Sequence, residues 1–371
     1  MAARGWRVQL IDRRPGPGME ASGNLAGILM PLVARDDSIA ARLSRACYLH
    51  GLRFWQGPGR DAGARLATCG VMQFARTGEQ EASMRRTVAE LGLPGEFIRY
   101  LDRDGAQARL GYPAPAGGWL FGQGGWANPP SLCHAALALA GGRVSTSFGT
   151  PVAGIERVAG TWRVLGDDGR CIGEAPVLVL ANGADAVRLP QAAPLPIKRV
   201  RGQVTLVPEG RLPPLSAALC REGYAAPAVD GLHAVGASYD FDDDGTPRPA
   251  CDLANMQRLD GLLPALNLDP AGFASRVGFR PVAPDRLPIA GALPDWSCLP
   301  DATSARLGDL PRQAGLYGLL GYASRGLVWA QLLAEALASE LEGDPMPLES
   351  ELLEAVDPGR FALRAIRKGR G

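Results

Sequence analysis

The stretch Met1-Ala-Ala-Arg-Gly-Trp-Arg-Val-Gln-Leu-Ile-Asp12-Arg-Arg14 reads as the end of a helix, a glycine at its C-terminus, and a strand from Trp6 to Ile11 that closes on an acid. That order is the second half of a β-α-β unit. In a dinucleotide-binding unit a first strand and a G-x-G-x-x-G turn precede such a strand, and the acid after it holds a ribose hydroxyl. Neither lies within these residues. The expectation is an α/β (α+β) fold whose Rossmann-like domain lacks its first strand and glycine loop.

Working outward, Ala21–Gly27 is a Ser/Gly/Asn segment, and apolar residues at three- and four-residue steps predict a helix from Ile39 to Trp55. A strand is expected over Gly70–Phe74, an amphipathic stretch over Glu79–Leu91, Gly- and Trp-rich strands over Gly117–Trp126 and a helix from Pro130 to Ala140. Strands at Val152–Val158 and Trp162–Gly166 lead to the apolar strand Ala175–Leu180, which ends at Ala181-Asn182-Gly183. Short alternating strands fill Arg201–Asp240, a helix covers Met256–Leu266, and Arg276–Gly291 is a strand-turn segment. Leu316–Leu341 is a strand, a Gly-rich turn and a long Ala/Leu helix. Parallel elements at both ends and in the middle imply a nucleotide domain over residues 1–66, 127–198 and 286–371. An antiparallel-sheet substrate domain over 67–126 and 199–285 interrupts it twice.

With 371 residues, 46% of them hydrophobic, the chain buries a substantial core, and Gly 48 and Pro 31 mark it as turn-rich. A formal net charge of +1 excludes a global field that draws it onto nucleic acid or an anionic membrane, so any RNA contact is local. Only Lys198 and Lys368 are lysines. Nearly every cation is therefore an arginine, which suits bidentate phosphate contacts and equally reflects base-composition bias in the coding DNA. The seven cysteines are scattered with no C-x-x-C pair, and only His50, His134 and His233 accompany them, so neither a zinc site nor a redox dithiol is expected. Dispersed cysteines, no apolar run of membrane-spanning length and no signal-peptide pattern point to a cytoplasmic protein.

Six segments, in order, resemble the D-amino-acid-oxidase superfamily of FAD enzymes. They are Ala21-Ser22-Gly23-Asn24-Leu-Ala-Gly27 with Pro31-Leu32; Gly124-Gly125-Trp126; Arg201-Gly202-Gln203; Gly236-Ala-Ser-Tyr239; Gly278-Phe-Arg280-Pro281 with Pro284-Asp285 and Leu287-Pro288; and Ser324-Arg325-Gly326-Leu327. The Ala-Ser-Gly-Asn and Ser-Arg-Gly-Leu segments are similar to one member, the oxidoreductase part of the MnmC family of bifunctional tRNA 5-methylaminomethyl-2-thiouridine biosynthesis proteins. The resemblance runs essentially from Met1 to Gly371, and it implies FAD as cofactor and tRNA as partner. It implies that Asp12 and Arg13 hold the adenosine ribose, that Val152 lies on the adenine side, and that Ser22, Asn24 and Gly27 meet the pyrophosphate and flavin edge. Asn182 and Gly183 would lie beside the cofactor. Gly321 and Ser324, Arg325, Gly326 and Leu327 would stabilise negative charge on the reduced flavin from a helix N-terminus. The proline that often follows this last segment in relatives is replaced here by Val328-Trp329-Ala330-Gln331.

Each assignment has an ordinary rival. Asp12 can cap a turn, Ala21–Gly27 can be a plain surface turn, and Asn182-Gly183 a β-α turn with no ligand. Ser324 can simply cap its helix, and Arg280 can be an exposed arginine paired with Asp285. The superfamily's matching arginine binds an amino-acid carboxylate, which makes Arg280 the first choice for that role; Tyr224 and Tyr239 are candidates to line the pocket. The tail Arg360, Arg364, Arg367, Lys368 and Arg370 is a candidate for RNA phosphate. The chemistry implied is oxidative removal of the carboxymethyl group from 5-carboxymethylaminomethyl-(2-thio)uridine at the tRNA wobble position, by hydride transfer to the flavin. The product would feed a methyltransferase domain or protein. The alternatives are a glycine, sarcosine or D-amino-acid oxidase or dehydrogenase, and a truncated remnant that binds no FAD.

Overall fold

The computed structural model of the chain describes residues 1–263, 266–301 and 304–367. The strand Lys198–Pro208 alternates polar and β-branched residues over eleven positions, so one set of side chains faces each side of a sheet. It pairs antiparallel with Ala274–Val282 on one flank and with Leu232–Gly236 on the other. From there the sheet continues through Tyr224–Ala225 and Ala218–Cys220 to Val71–Phe74, which runs parallel to its neighbour, then Gly118–Phe121 and Arg99–Leu101, eight strands in all. The helix Pro249–Asp260 covers the face that carries Gln203 and Thr205. Its buried Asp252 and Asn255 both bond the Thr205 hydroxyl, at 2.5 and 3.0 Å, so the polar pairs between helix and sheet are satisfied.

Elsewhere the strand Val8–Ile11 lies parallel to Val144–Ser147, and Leu178–Leu180 lies parallel to Arg312–Leu320, which pairs antiparallel with Ile289–Pro294. Leu180, Leu316, Leu320, Ile289 and Leu293 bury together with Ile155, Trp162 and Val164 of a three-stranded meander. The helix Ile39–Phe54 packs through Leu43, Cys47 and Tyr48 on Trp329, Leu332 and Leu333 of the helix Gly326–Glu342. A small antiparallel sheet of Gly27–Leu29, Gly125–Ala127 and Leu66–Ala67 adjoins that pair. No helix among the described residues is long and apolar enough to cross a membrane.

Several elements depart from the sequence reading. The segment expected as one strand over Ala175–Leu180 is two: Cys171–Ala175 closes the meander, and Leu178–Leu180 begins anew beyond Pro176, which has no N–H to give a ladder. Arg201–Asp240 contains one long strand rather than short ones throughout. The helix expected over Met256–Leu266 starts earlier, with Pro249 in its first turn, and ends before Gly261; Pro264 and Ala265 lie outside the described residues. Two helices, Ser350–Val356 and Gly359–Arg367, were not expected at all.

The C-terminal helix also corrects the reading of the basic tail. Arg360 is buried at 6% exposure and bonds the Asp285 carboxylate at 3.0 and 3.2 Å, while Arg364 reaches the same acid at 2.7 Å. Arg367 donates to the Ala305 carbonyl at 3.3 Å, and Lys368 and Arg370 lie outside the described residues. These arginines clasp the chain's own loop, and burial removes Arg360 from any RNA face. Burial alone would raise the Asp285 carboxyl, but the Arg360 and Arg364 guanidiniums outweigh it and hold the group below its ordinary 3.8. An acid depressed in the folded state stabilises above its unfolded pKa and loses that contribution as pH falls through the folded value. Asp285→Ala is expected to cost about 3 kcal/mol by leaving Arg360 buried and without its carboxylate. The deficit, read from urea midpoints, should be largest at neutral pH and shrink below about pH 4.

Candidate functional site

The register of the large sheet builds the site's floor. Arg276 lies opposite Val204, Val204 opposite Gly236, Gly236 opposite Tyr224, and Tyr224 opposite Cys220, so this row shares one face across five strands. Arg280, two pleats beyond Arg276, is on that face too, with Gly278 between them. Across from this pair lies Gly202. A Cβ there would sit 2.3 Å from both terminal nitrogens of Arg280, so the guanidinium lies on bare backbone that only glycine provides.

Arg280 Nη1 donates to the carbonyls of Ser238 at 3.1 Å and Arg201 at 3.4 Å, and the Tyr239 ring centroid is 5.8 Å from the guanidinium carbon. Among the described residues it bonds no carboxylate; the rival pairing with Asp285 does not occur, because Arg360 and Arg364 take that acid. Burial lowers its pKa, opposed by Tyr224, Tyr239 and Asp240, yet an arginine stays charged. A half-buried cation bonded only to carbonyls is a ready receptor for an anion. Burial pushes the Tyr224 phenol up to about 12 against the pull of Arg280 and Arg276, so it is a hydrogen-bond donor at neutral pH.

Arg276 ties the Ala21–Gly27 turn to this floor. It donates to Asn24 Oδ1 at 3.1 Å and to the carbonyls of Met19 and Glu20. Gly27 approaches Leu327 so closely that a Cβ would be 2.7 Å from Leu327 Cδ1, while Ser22 is exposed. Gly321 turns the chain at φ +68. The Ala323 N–H then bonds the Pro281 carbonyl at 2.8 Å, and Val282 bridges Tyr322. Arg325 opens the helix Gly326–Glu342, whose N-terminus no side chain caps, so the rival role for the exposed Ser324 is not realised. Burial lowers the Arg325 pKa, opposed by the Cys220 thiol. Tyr322 Oη and Trp329 Nε1 are buried nearby in sequence with no partner.

The strand end at Asp12 joins from another side. Its backbone bonds Ser147 and Thr150, and Oδ1 accepts from Arg14 N at 2.8 Å, so the acid does cap a turn and keeps one further oxygen. Arg13 is engaged by Glu20 at 2.7 Å and Asp185 at 2.5 Å, and thereby links this end to the Asn182–Gly183 turn. Gly183, at φ +62, has Pro281 Cγ within 3.8 Å of its Cβ position. Pro281 thus touches both the Gly183 turn and the Ala323 loop, next to Arg280. Val152 is 39% exposed. Neither of two surface clefts, of about 460 and 760 Å3, is lined by Arg280 or Arg325. The sequence reading missed Arg276 and the role of Gly202, although Arg276-Val-Gly278-Phe-Arg280 carried the signal: two cations at even spacing on one strand face.

The sequence profile of a family described as DAO, FAD dependent oxidoreductase, matches residues 1–340. The chain belongs to that family. It is 47% identical over its whole length to tRNA 5-methylaminomethyl-2-thiouridine biosynthesis bifunctional proteins MnmC of Burkholderia mallei (strain SAVP1) and Burkholderia pseudomallei (strain 1106a). The chain spans 58% of the length of those relatives. Among solved structures, glycine oxidase from Geobacillus kaustophilus superposes with a TM-score of 0.76 at 20% identity, over 97% of this chain and 93% of that one. L-proline dehydrogenase from P. horikoshii gives 0.74 at 16% identity, over 97% and 92%. These likenesses show the fold of the FAD-dependent oxidoreductases.

FAD is the cofactor of this family, and the site's chemistry fits it. An uncapped helix N-terminus beside a half-buried Arg325 suits an electron-rich ring edge, and the second oxygen of Asp12 suits a ribose hydroxyl. If Arg280 receives an anion, displacing it is expected to abolish that binding while sparing the cofactor. Gly202→Val should keep the flavin absorbance band but weaken acetate, titrated against that band, by about tenfold or more. Unchanged acetate affinity counts against the assignment.

Proposed function

We propose that this chain carries out the FAD-dependent oxidative removal of the carboxymethyl group from 5-carboxymethylaminomethyl-(2-thio)uridine at the wobble position of tRNA, acting on a CH–NH bond and leaving the 5-aminomethyl nucleoside. The observation that carries it is Arg280, a half-buried guanidinium lying on Gly202 with only carbonyls for hydrogen-bond partners among the described residues, where a small carboxylate fits. The named activity of the 47%-identical relatives supports the nucleoside as the bearer of that carboxylate. In this reading the large antiparallel sheet, residues 67–126 and 199–285, is the substrate domain, and residues 1–66, 127–198 and 286–367 form the FAD-binding domain.

Arg280 grips the carboxylate with two parallel hydrogen bonds, and the protonated Tyr224 donates a further one from the same sheet face. Tyr239 covers the guanidinium from the rim. Held at both oxygens, the substrate presents its neutral amine and adjoining carbon in one orientation, so positioning carries most of the rate. Bound FAD supplies the two-electron oxidation that turns the C–N single bond into a C=N bond. Water then adds to that carbon, the C–N bond breaks, and glyoxylate leaves with the aminomethyl nucleoside. For the cofactor, Asp12 and Arg13 would hold the adenosine ribose, with Val152 on the adenine side. Ser22, Asn24 and Gly27 lie along its middle, with Asn182 and Gly183 beside it. Gly321, Ser324, Arg325, Gly326 and Leu327 would stabilise negative charge on the reduced flavin from the helix N-terminus. Arg13 is the weakest of these, since Glu20 and Asp185 already hold it.

The aminomethyl product is a nucleophilic amine, and the relatives are named bifunctional, so a methyltransferase domain or protein consumes it in this reading. The seven cysteines are all free thiols, in keeping with a reducing cytoplasm.

The test compares turnover on tRNA bearing 5-carboxymethylaminomethyluridine with turnover on glycine. Activity on the tRNA supports the proposal; activity on glycine alone replaces it with a small-molecule amine oxidase, and a colourless protein that added FAD cannot restore indicates a chain that binds no FAD. On the tRNA, Arg280→Met should raise KM by about a hundredfold, with Arg280→Lys intermediate because an ammonium cannot offer the paired fork. Equal kinetics for wild type and Arg280→Met would remove Arg280 from substrate recognition.

A further inference from the structure

We propose that Tyr239 and Phe241 form a base-stacking step leading into the site, on which the wobble base and the base of a neighbouring, unpaired nucleotide of the RNA lie; this rests on the tRNA reading above. The two rings are exposed to 50% and 73%, and they meet edge to face with centroids 5.5 Å apart. Exposed aromatic area of this size on a loop asks for an occupant.

The loop that presents them is held firmly. Arg201, with no exposed surface, donates to the carbonyls of Asp244 at 2.7 Å and Thr246 at 2.6 Å and to the Asp240 carboxylate at 3.2 Å. Arg248 grips Asp242 at 2.7 Å and Asp244 at 3.0 Å, and Arg199 pairs with Asp243 at 3.3 Å. Four aspartates would repel RNA, but each is paired with one of three arginines, Arg248 serving both Asp242 and Asp244. What remains on offer is a pair of ring faces fixed before any ligand arrives, which lowers the entropic cost of binding.

Position and charge select the occupant. At its inner end Tyr239 lies 5.8 Å from the Arg280 guanidinium. At its outer end Phe241 lines the cleft of about 760 Å3 with Arg188, Lys198 and Arg199, which match in number the aspartates there, Asp185, Asp242 and Asp243. Asp185 in that cleft is met by Arg13 at 2.5 Å and Arg188 at 3.3 Å, while Lys198 makes no salt bridge among the described residues. A carboxylate receptor, two ring faces and a cation therefore follow one another along the surface. An acid-bearing nucleotide, its base, the next base and the phosphate between them present the same sequence. Stacking on aromatic side chains beside a cationic groove is how single-stranded RNA is held.

The experiment uses the full chain with FAD bound and two substrates: an anticodon stem-loop RNA carrying 5-carboxymethylaminomethyluridine, and the free modified nucleoside. Phe241→Ala is expected to lower kcat/KM on the stem-loop about tenfold relative to the nucleoside, through KM, and Phe241→Trp to restore it. An unchanged ratio of the two substrates overturns the proposal, and this is also the outcome if the rings dock another polypeptide instead. A wild-type protein that oxidises glycine but neither modified substrate overturns the underlying tRNA reading itself, a separate and distinguishable failure.

Discussion

The site depends on the register between the strands Lys198–Pro208 and Ala274–Val282. Nine residue pairs in unbroken antiparallel alignment place Gly202 beneath Arg280 and Val204 beside Arg276. Side chains alternate faces with a period of two, so a slip of Ala274–Val282 by one residue would carry both arginines to the face covered by the helix Pro249–Asp260, the face of Arg201 and Gln203. The polar pairs beneath oppose that slip: Ser275 of the strand Ala274–Val282 and Thr205 of its neighbour both donate to the Asp252 carboxylate, and both reach it only in the present register. Polar bonding on the covered face thereby sets the geometry on the working one.

The two faces use arginine in opposite ways. Arg201 is surrounded by acceptors, two carbonyls, an amide oxygen and a carboxylate, so its charge is spread and its position fixed. Arg280, one strand away, has only carbonyls. A desolvated cation that its own chain leaves without an acid is costly to the fold alone and favourable once an anion enters. Arg325 is in a comparable state at the uncapped end of its helix. Stability held back at such positions is available to ligands.

Much of this was legible in the sequence because it follows from short-range rules. The acid-ended first strand, the helices beginning at Ile39 and near Pro130, and the Gly-turn-helix unit near Leu316–Leu341 announced themselves by periodicity and by Gly and Pro punctuation. Arg280, Asn24, Leu327 and the Asn182–Gly183 turn came from ordered resemblance and are found on converging segments. What was not legible depends on distance. No local rule says that Asp285 belongs to Arg360, seventy-five positions away, or that Arg13 is shared between Glu20 and Asp185. The basic tail was read as a free charged end because composition reports charge and not partners. Arg276 was passed over although its spacing from Arg280 was visible, because its meaning required the opposite strand to supply Gly202 and Val204.

The clasp of Arg360 and Arg364 on Asp285 links the last helix to a loop that begins just after Val282, the residue bridging to Tyr322. Through that loop the C-terminal helix acts as a tensioning strut on the strand bearing Arg280 and on the turn bearing Arg325. Trimming the end of the chain, or attaching a bulky tag there, would therefore be felt as a loosened mouth rather than as a lost tail.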